Sequence, residues 1–263
     1  MSQGLSGLGL IACLAAPLGG LITAWFNWHA ALLVLAVFGT LTLALLAWRF
    51  QESIPHRNVH ALQPMRLLAN WSMILRNPTF LAYSALSTAS YGGLFTFLAS
   101  SSFVFIKLLG YSTTQYGLFM FMNSLIYLIG TFICRRMITR WGVQRSVMLA
   151  AVLSLAGGCS MAALALGNWH SGWAVMLPMS AFILGHGIHQ PCGQSGAVGP
   201  FPQAAGTASA MSGFMMMLAA FAMGQWLGTH MDGTVIPLAF GMCFWGAMVA
   251  LSAWTLVRRY GHG

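Results

Sequence analysis

Residues 114–145, TQYGLFMFMNSLIYLIGTFICRRMITRWGVQR, decide the fold. From residue 114 to residue 134 no side chain carries a formal charge, a length that matches the roughly 20 residues a helix needs to cross about 30 Å of hydrocarbon. Arg135, Arg136, Arg140 and Arg145 then follow close together. The apolar run is continuous, whereas a barrel strand would show about 10 residues of alternating polarity, so the span is a helix. Working outward, the same pattern recurs in eight runs, at roughly 5–25, 29–48, 79–101, 114–134, 145–166, 172–190, 205–228 and 236–257. The expected fold class is all-α, a polytopic membrane protein.

Composition agrees. Of 263 residues, 58% are hydrophobic and 5% charged, against about 25% charged in a soluble domain, so the chain cannot clothe a surface facing water. The net charge of +9 comes from 11 Lys and Arg against 2 Asp and Glu. Its distribution speaks to topology and not to nucleic acid. Arg49, Arg57, Arg66 and Arg76 follow the second run, the Arg135–Arg145 cluster follows the fourth, and Arg258 and Arg259 follow the last. These loops alternate and therefore share one side, which the positive-inside tendency assigns to the cytoplasm; with eight spans both termini lie there. The opposite loops hold Asn27, Lys107, the turn at 167–172 and Asp232. Cys13, Cys134, Cys159, Cys192 and Cys243 show no ligand spacing and read as small packing residues, not as a disulfide framework or a zinc site. The first residues carry no Lys or Arg, so the first run reads as a retained span and not as a secretory signal.

The connection from about 49 to 77 is the longest polar insert, with Pro55, Pro64 and a stretch from Leu67 to Leu75 suited to a short surface helix. It divides the chain into residues 1–50 with two spans, a cytoplasmic loop at 51–77, and a six-span block at 78–263. A six-helix block behind a long cytoplasmic connection is the layout of one half of a transporter built from two such bundles.

Several short motifs fall in a telling order. They are Ala16-Pro17-Leu18-Gly19-Gly20 with Asn27-Trp28-His29, then Asn77-Pro78-Thr79-Phe80, Tyr91-Gly92-Gly93 and Ser102-Phe103-Val104. Arg140-Trp141-Gly142-Val143-Gln144-Arg145, the Gly185-His186-Gly187-Ile188-His189-Gln190-Pro191 run and the segment from Phe201 to Ala210 complete the series. In this order the chain resembles the Bcr/CflA drug-resistance subfamily of the major facilitator superfamily, from the fifth helix of that fold to the twelfth. The resemblance implies a partial major facilitator fold: two helices of the N-terminal bundle and the whole six-helix C-terminal bundle. It implies multidrug-efflux-type secondary transport, by proton-coupled antiport in the family, in a bacterial inner membrane. The family's first four helices would be missing, and with them the acidic or aromatic residues of helix one. The expectation is an incomplete transporter whose partners are the bilayer, a small amphipathic solute and a chain supplying the missing helices. The competing reading is a non-transporting remnant, or an assembly subunit packed against another membrane chain.

Candidate functional residues fall into five groups. Pro17, Gly19 and Gly20 read as a kinked close-packing site, and the resemblance adds a role in sealing an antiporter against leak. Arg140 and Arg145 flank Gly142 in a short turn, either as simple anchors or as a latch on alternating access. His186 and His189, three apart, share a helix face and titrate in the right range for proton transfer, but a span ending at Gln190 would leave them at the water interface. Asn123 and Tyr127, with Tyr83, Ser87 and Tyr91, form polar and aromatic stripes suited to a solute cavity or to helix packing. Met211, Met215, Met216, Met217 and Met223 suit core filling or adaptable contact with varied solutes. Neither carboxylate, Glu52 or Asp232, falls inside a span, so the coupling group would belong to the missing helices. No HExxH, G-x-S-x-G or phosphate-cradling GK[ST] motif is present, and neither enzyme chemistry, a cofactor nor a metal is expected. Reporter fusions inserted near Arg57 and near Arg140 are predicted to report the same face of the bilayer; opposite faces would overturn the topology.

Overall fold

The structure is a computed structural model that describes residues 25–50, 64–169 and 171–261, together with Gly19 and Ile22. Most of the expected first span and of the central connection, including Pro17, Gly20 and Glu52, lies outside the described residues. Helix α1 runs Trp28–Arg49, started by Asn27, whose side chain accepts from the Ala30 amide at 2.9 Å. The short surface helix is α2, Pro64–Leu75. Helix α3, Pro78–Ser102, has Asn77 as its cap and continues as a π-helical turn, Phe103–Leu108. Helix α4, Thr113–Leu166, opens on a reciprocal cap between Ser112 and Gln115. Helix α5 is Gly172–Val198, and α6 is Ala205–His230. Helix α7, Ile236–Leu251, is prolonged by a π-helical turn, Ser252–Val257, and a last α-helical turn, Arg258–Tyr260.

At 54 residues, α4 is more than twice the length of a single span, and it is broken at Gly142. There φ is 77° and ψ is 168°, a backbone conformation that glycine tolerates and a side chain with Cβ resists. The two parts run in opposite directions along α5. In the first, Phe119, Asn123, Gly130 and Cys134 meet Trp173, Met176, Gly187 and Cys192 in ascending order. In the second, Val147, Ser154 and Gly157 meet His189, Gly185 and Phe182 in descending order. Residues 113–141 and 143–166 are therefore separate spans, as their charges predicted.

Helix α5 corrects one expectation. It does not stop before Pro191 but continues to Val198. Proline removes the donor that would meet the Gly187 carbonyl, a loss that packing offsets inside a helix bundle. Gly193 and Gly196 lie against Ser87 and Tyr83 of α3, where any Cβ would collide, and Ser195 Oγ donates back to the Pro191 carbonyl at 2.8 Å. Tertiary contact holds this turn helical against its local propensity.

The basic residues gather at one end of the bundle. Gln144 Nε2 donates to the carbonyls of Val257 at 3.1 Å and Arg258 at 2.6 Å, and Thr79 Oγ1 donates to that of Tyr260 at 2.9 Å. The Phe80 and Phe201 rings meet edge-on at 6.2 Å. This end carries the exposed Arg76, Arg135, Arg136, Arg140, Arg145, Arg258 and Arg259. At the other end the Gly172 amide donates to Tyr111 Oη at 3.2 Å, near Lys107. Packing is uneven. No residue of α1 is buried, and α6 buries one stripe, Ala208, Ser212, Met216, Ala220, Met223 and Leu227, while Phe214, Leu218 and Phe221 stay exposed.

At the crossing of α5 on the first part of α4, a Cβ on Gly187 would stand 2.9 Å from the Tyr127 carbonyl and 3.0 Å from Gly130. Gly187→Ala is predicted to destabilise the bundle by about 1–3 kcal/mol through overpacking. Gly213→Ala, with nothing within 4 Å of the new Cβ, should be neutral or up to about 1 kcal/mol stabilising. Thermal unfolding of both variants in one detergent checks the contrast.

Candidate functional site

Helix α5 buries two imidazoles, because its glycines let α3 and both parts of α4 close on it. His186 is 3% exposed and His189 0%, and more than two helical turns follow His189 before Val198. The interfacial placement expected from a helix ending at Gln190 is therefore corrected: both imidazoles lie inside the bundle. His186 Nδ1 and Ser90 Oγ of α3 are 2.8 Å apart, and the Tyr127 ring lies over the imidazole at 5.6 Å, tilted by 38°. His189 Nε2 is 3.3 Å from the Val147 carbonyl. A carbonyl only accepts, so Nε2 holds the proton and Nδ1 is left as an acceptor without a partner.

Other acceptors share that condition. Asn123 is buried on the first part of α4; its Nδ2 reaches Met176 Sδ at 3.8 Å, and its Oδ1 has no partner. Gln190 Nε2 reaches Met216 Sδ of α6 at 3.3 Å, and Oε1 has none. Sulfur is a weak acceptor, so these amides hold more hydrogen-bonding capacity than the packed bundle uses. Tyr91 is half-buried on α3. Tyr83 separates from the expected stripe, because Gly193 and Gly196 draw its ring into the α3–α5 seam, and its hydroxyl donates to the Gly261 carbonyl at 3.2 Å. There it braces α3 against α5 and against the end of α7.

Around Gly142 the structure brings forward a residue that spacing did not single out. Arg140 and Arg145 are exposed, Arg140 lies over the Trp141 ring at 5.6 Å, and neither forms an ion pair among the described residues. Gln144 between them makes the interhelical bonds. Of the glycine–proline motif, Gly19 alone is described, half-buried in a helical position. Asp232 is exposed beyond the end of α6, and the Thr234 hydroxyl donating to its carboxylate at 2.6 Å holds the carboxyl below the usual range. It stays charged and far from the imidazoles.

Comparison with known proteins settles what kind of bundle this is. The Major Facilitator Superfamily matches residues 2–224. The chain belongs to that superfamily. It is 27% identical over 244 residues to the bicyclomycin resistance protein homolog of Haemophilus influenzae, covering 92% of this chain and 60% of the relative. It is 25% identical over 260 residues to multidrug resistance protein D of Escherichia coli, covering 96% of this chain and 63% of the relative. Multidrug resistance protein MdtL of Escherichia coli is 25% identical over 204 residues, 78% of this chain and 50% of the relative. These relatives place the chain with the drug-resistance transporters of the superfamily, and this facilitator chain spans about three-fifths of the length of the first two.

Gln144→Ala removes two donor contacts to the end of α7, each worth about 0.5–1.5 kcal/mol net. The predicted result is faster amide hydrogen exchange at 257–261, by roughly tenfold or more, with exchange in α5 unchanged. Equal protection in variant and parent would show that the contact holds nothing.

Proposed function

We propose that the chain is the helix-five-to-twelve portion of a drug-efflux-type secondary transporter for small amphipathic solutes, in a bacterial inner membrane with its arginine-rich end and both termini cytoplasmic. The uneven packing carries this reading. Six spans close on one another while α1 buries nothing and α6 buries one stripe, which is how one bundle looks beside an interface meant for another. In this reading α1 and the segment before it are the last two helices of the N-terminal bundle, residues 1–50, and residues 51–77 connect them to the C-terminal bundle, 78–263. The Pro17, Gly19 and Gly20 motif packs in the first of those helices, and the Arg140–Gly142–Arg145 turn works as a gate.

The solute-facing groups are Tyr91, Asn123 and Tyr127, supported from behind by His186 and His189. Aromatic surface with a few unsatisfied acceptors suits an amphipathic or cationic solute. The histidines face no carboxylate among the described residues. A proton moved through them needs a counter-charge, which we assign to the helices preceding this portion in the full-length relatives. By itself, then, the chain does not perform proton-coupled export.

The competing reading, an assembly subunit or remnant packed against another chain, draws on the same unburied α1. Purification in mild detergent separates the two, since a complex containing a second membrane chain favours assembly. In proteoliposomes with an imposed pH gradient, the chain alone is predicted to give no gradient-driven accumulation of a fluorescent aromatic cation. Co-reconstitution with the first four helices of the Haemophilus relative should restore it. Gradient-driven transport by the chain alone would overturn the missing-charge argument, and no transport in either preparation would favour the remnant.

A further inference from the structure

The arginine-rich end holds a more specific arrangement than a general positive surface. We propose that the seam between the second part of α4 and the end of α7 binds the headgroup of an anionic phospholipid, with Arg145 and Arg258 on its phosphate. The bond from Gln144 Nε2 to the Arg258 carbonyl, 2.6 Å, ties these two backbone positions together, since Arg145 is the next residue along α4. Both arginines are exposed, and neither has an acidic partner among the described residues; Asp232 lies beyond the other end of α6. Two neighbouring arginine positions without a counter-charge attract an anion between them, and guanidinium matches phosphate oxygens in geometry as well as charge.

What lies beside the pair selects a lipid over a soluble anion. The Trp254 indole, 39% exposed, crosses the same seam, its Nε1 donating to the Met148 carbonyl at 3.1 Å. Tryptophan settles at headgroup depth, with its apolar body toward the chains. Beyond it the surface is apolar and exposed: Leu149 and Val152 on α4, and Leu251 on α7. Charge above, an indole at the boundary and bare aliphatic surface beneath match a phosphate, a glycerol backbone and an acyl chain in that order. The π-helical turn at Ser252–Val257 lies in this stretch, and the Val257 and Arg258 carbonyls that accept from Gln144 are at its exit. The seam's shape therefore rests on the Gln144 bonds, and the lipid would bridge the two elements they join. Arg135 and Arg136 share the same end but belong to the first part of α4, away from this seam, and serve as its control.

Native mass spectrometry of the purified full chain, titrated with phosphatidylglycerol or phosphatidylcholine in detergent, tests the site. Preferential retention of phosphatidylglycerol is expected. R145Q/R258Q should weaken it about 30-fold, from about 1 kcal/mol per arginine at about 1.4 kcal/mol per decade, and leave phosphatidylcholine unchanged. R135Q/R136Q should shift it less than about threefold by the same scale. Millimolar glycerol phosphate should not compete. Equal retention of both lipids, equal losses in the two double variants, or displacement by glycerol phosphate would each overturn the proposal. None of these outcomes depends on whether the chain transports a solute.

Discussion

Hydrocarbon offers no hydrogen bonds, and that constraint governs this molecule. Every backbone group must be satisfied within a helix, and hydroxyls that cannot reach a neighbour must turn back on their own turn. Ser87, Thr96, Ser100, Ser124 and Ser180 all donate to the carbonyl four residues earlier. Lipid also supplies no hydrophobic drive to bring helices together, so association rests on close packing. Glycine makes that packing possible. A Cβ would stand 2.5 Å from the Pro178 carbonyl at Gly157, 2.5 Å from the Met242 carbonyl at Gly158 and 2.6 Å from the Ser154 carbonyl at Gly246. The second part of α4 is thus clamped between α5 and α7, and the bundle is organised around it.

This explains which features were legible in the sequence. The spans within the described residues were, because their length and lack of charge answer to the bilayer, and so was the common end of the arginines described there, which answers to topology. The end of α5 was not. Gln190-Pro191 reads locally as a stop, and only the fit of Gly193 and Gly196 against α3 shows why the helix continues. The same error displaced the histidines, since their distance from water follows directly from where the helix ends. Of the cysteines read as packing residues, Cys134 and Cys192 are buried, Cys159 is exposed and Cys13 lies outside the described residues, yet nothing in their spacing shows that Cys134 meets Cys192, and Cys159 meets Cys243, each at 3.8 Å. Gln144 was passed over for a similar reason. Its partners lie 113 and 114 residues away, and an uncharged amide between two arginines draws no attention in a sequence.

The candidate site was legible in its residue types and not in its geometry. Tyr127 and His186 do meet, with Ser90 as the partner of the imidazole, while Asn123 turns to Met176, ten residues earlier on α5; neither Ser90 nor Met176 gave a sign of a role in the sequence. Tyr83 left the group because small residues opposite it made room, a matter of the partner helix and not of its own spacing.

The acceptors left over at this site bear on mechanism. An unmet buried polar atom costs about 1–3 kcal/mol, and replacing Asn123 or Gln190 with an apolar residue of similar size would remove that cost. Their positions differ in kind from that of Ser90, whose hydroxyl is already committed to His186. Asn123 Oδ1 and Gln190 Oε1 belong to amides whose other end rests on soft thioether sulfur, a contact that can be broken and remade at little expense. Such an amide can turn toward a donor carried by a solute and return when it leaves. A fully paired amide would have to give up a strong bond first, and its affinity for the solute would fall by that amount. Loose pairing at Asn123 and Gln190, next to firm pairing at His186, is therefore the arrangement expected where binding has to be reversible and the scaffold behind it must not move.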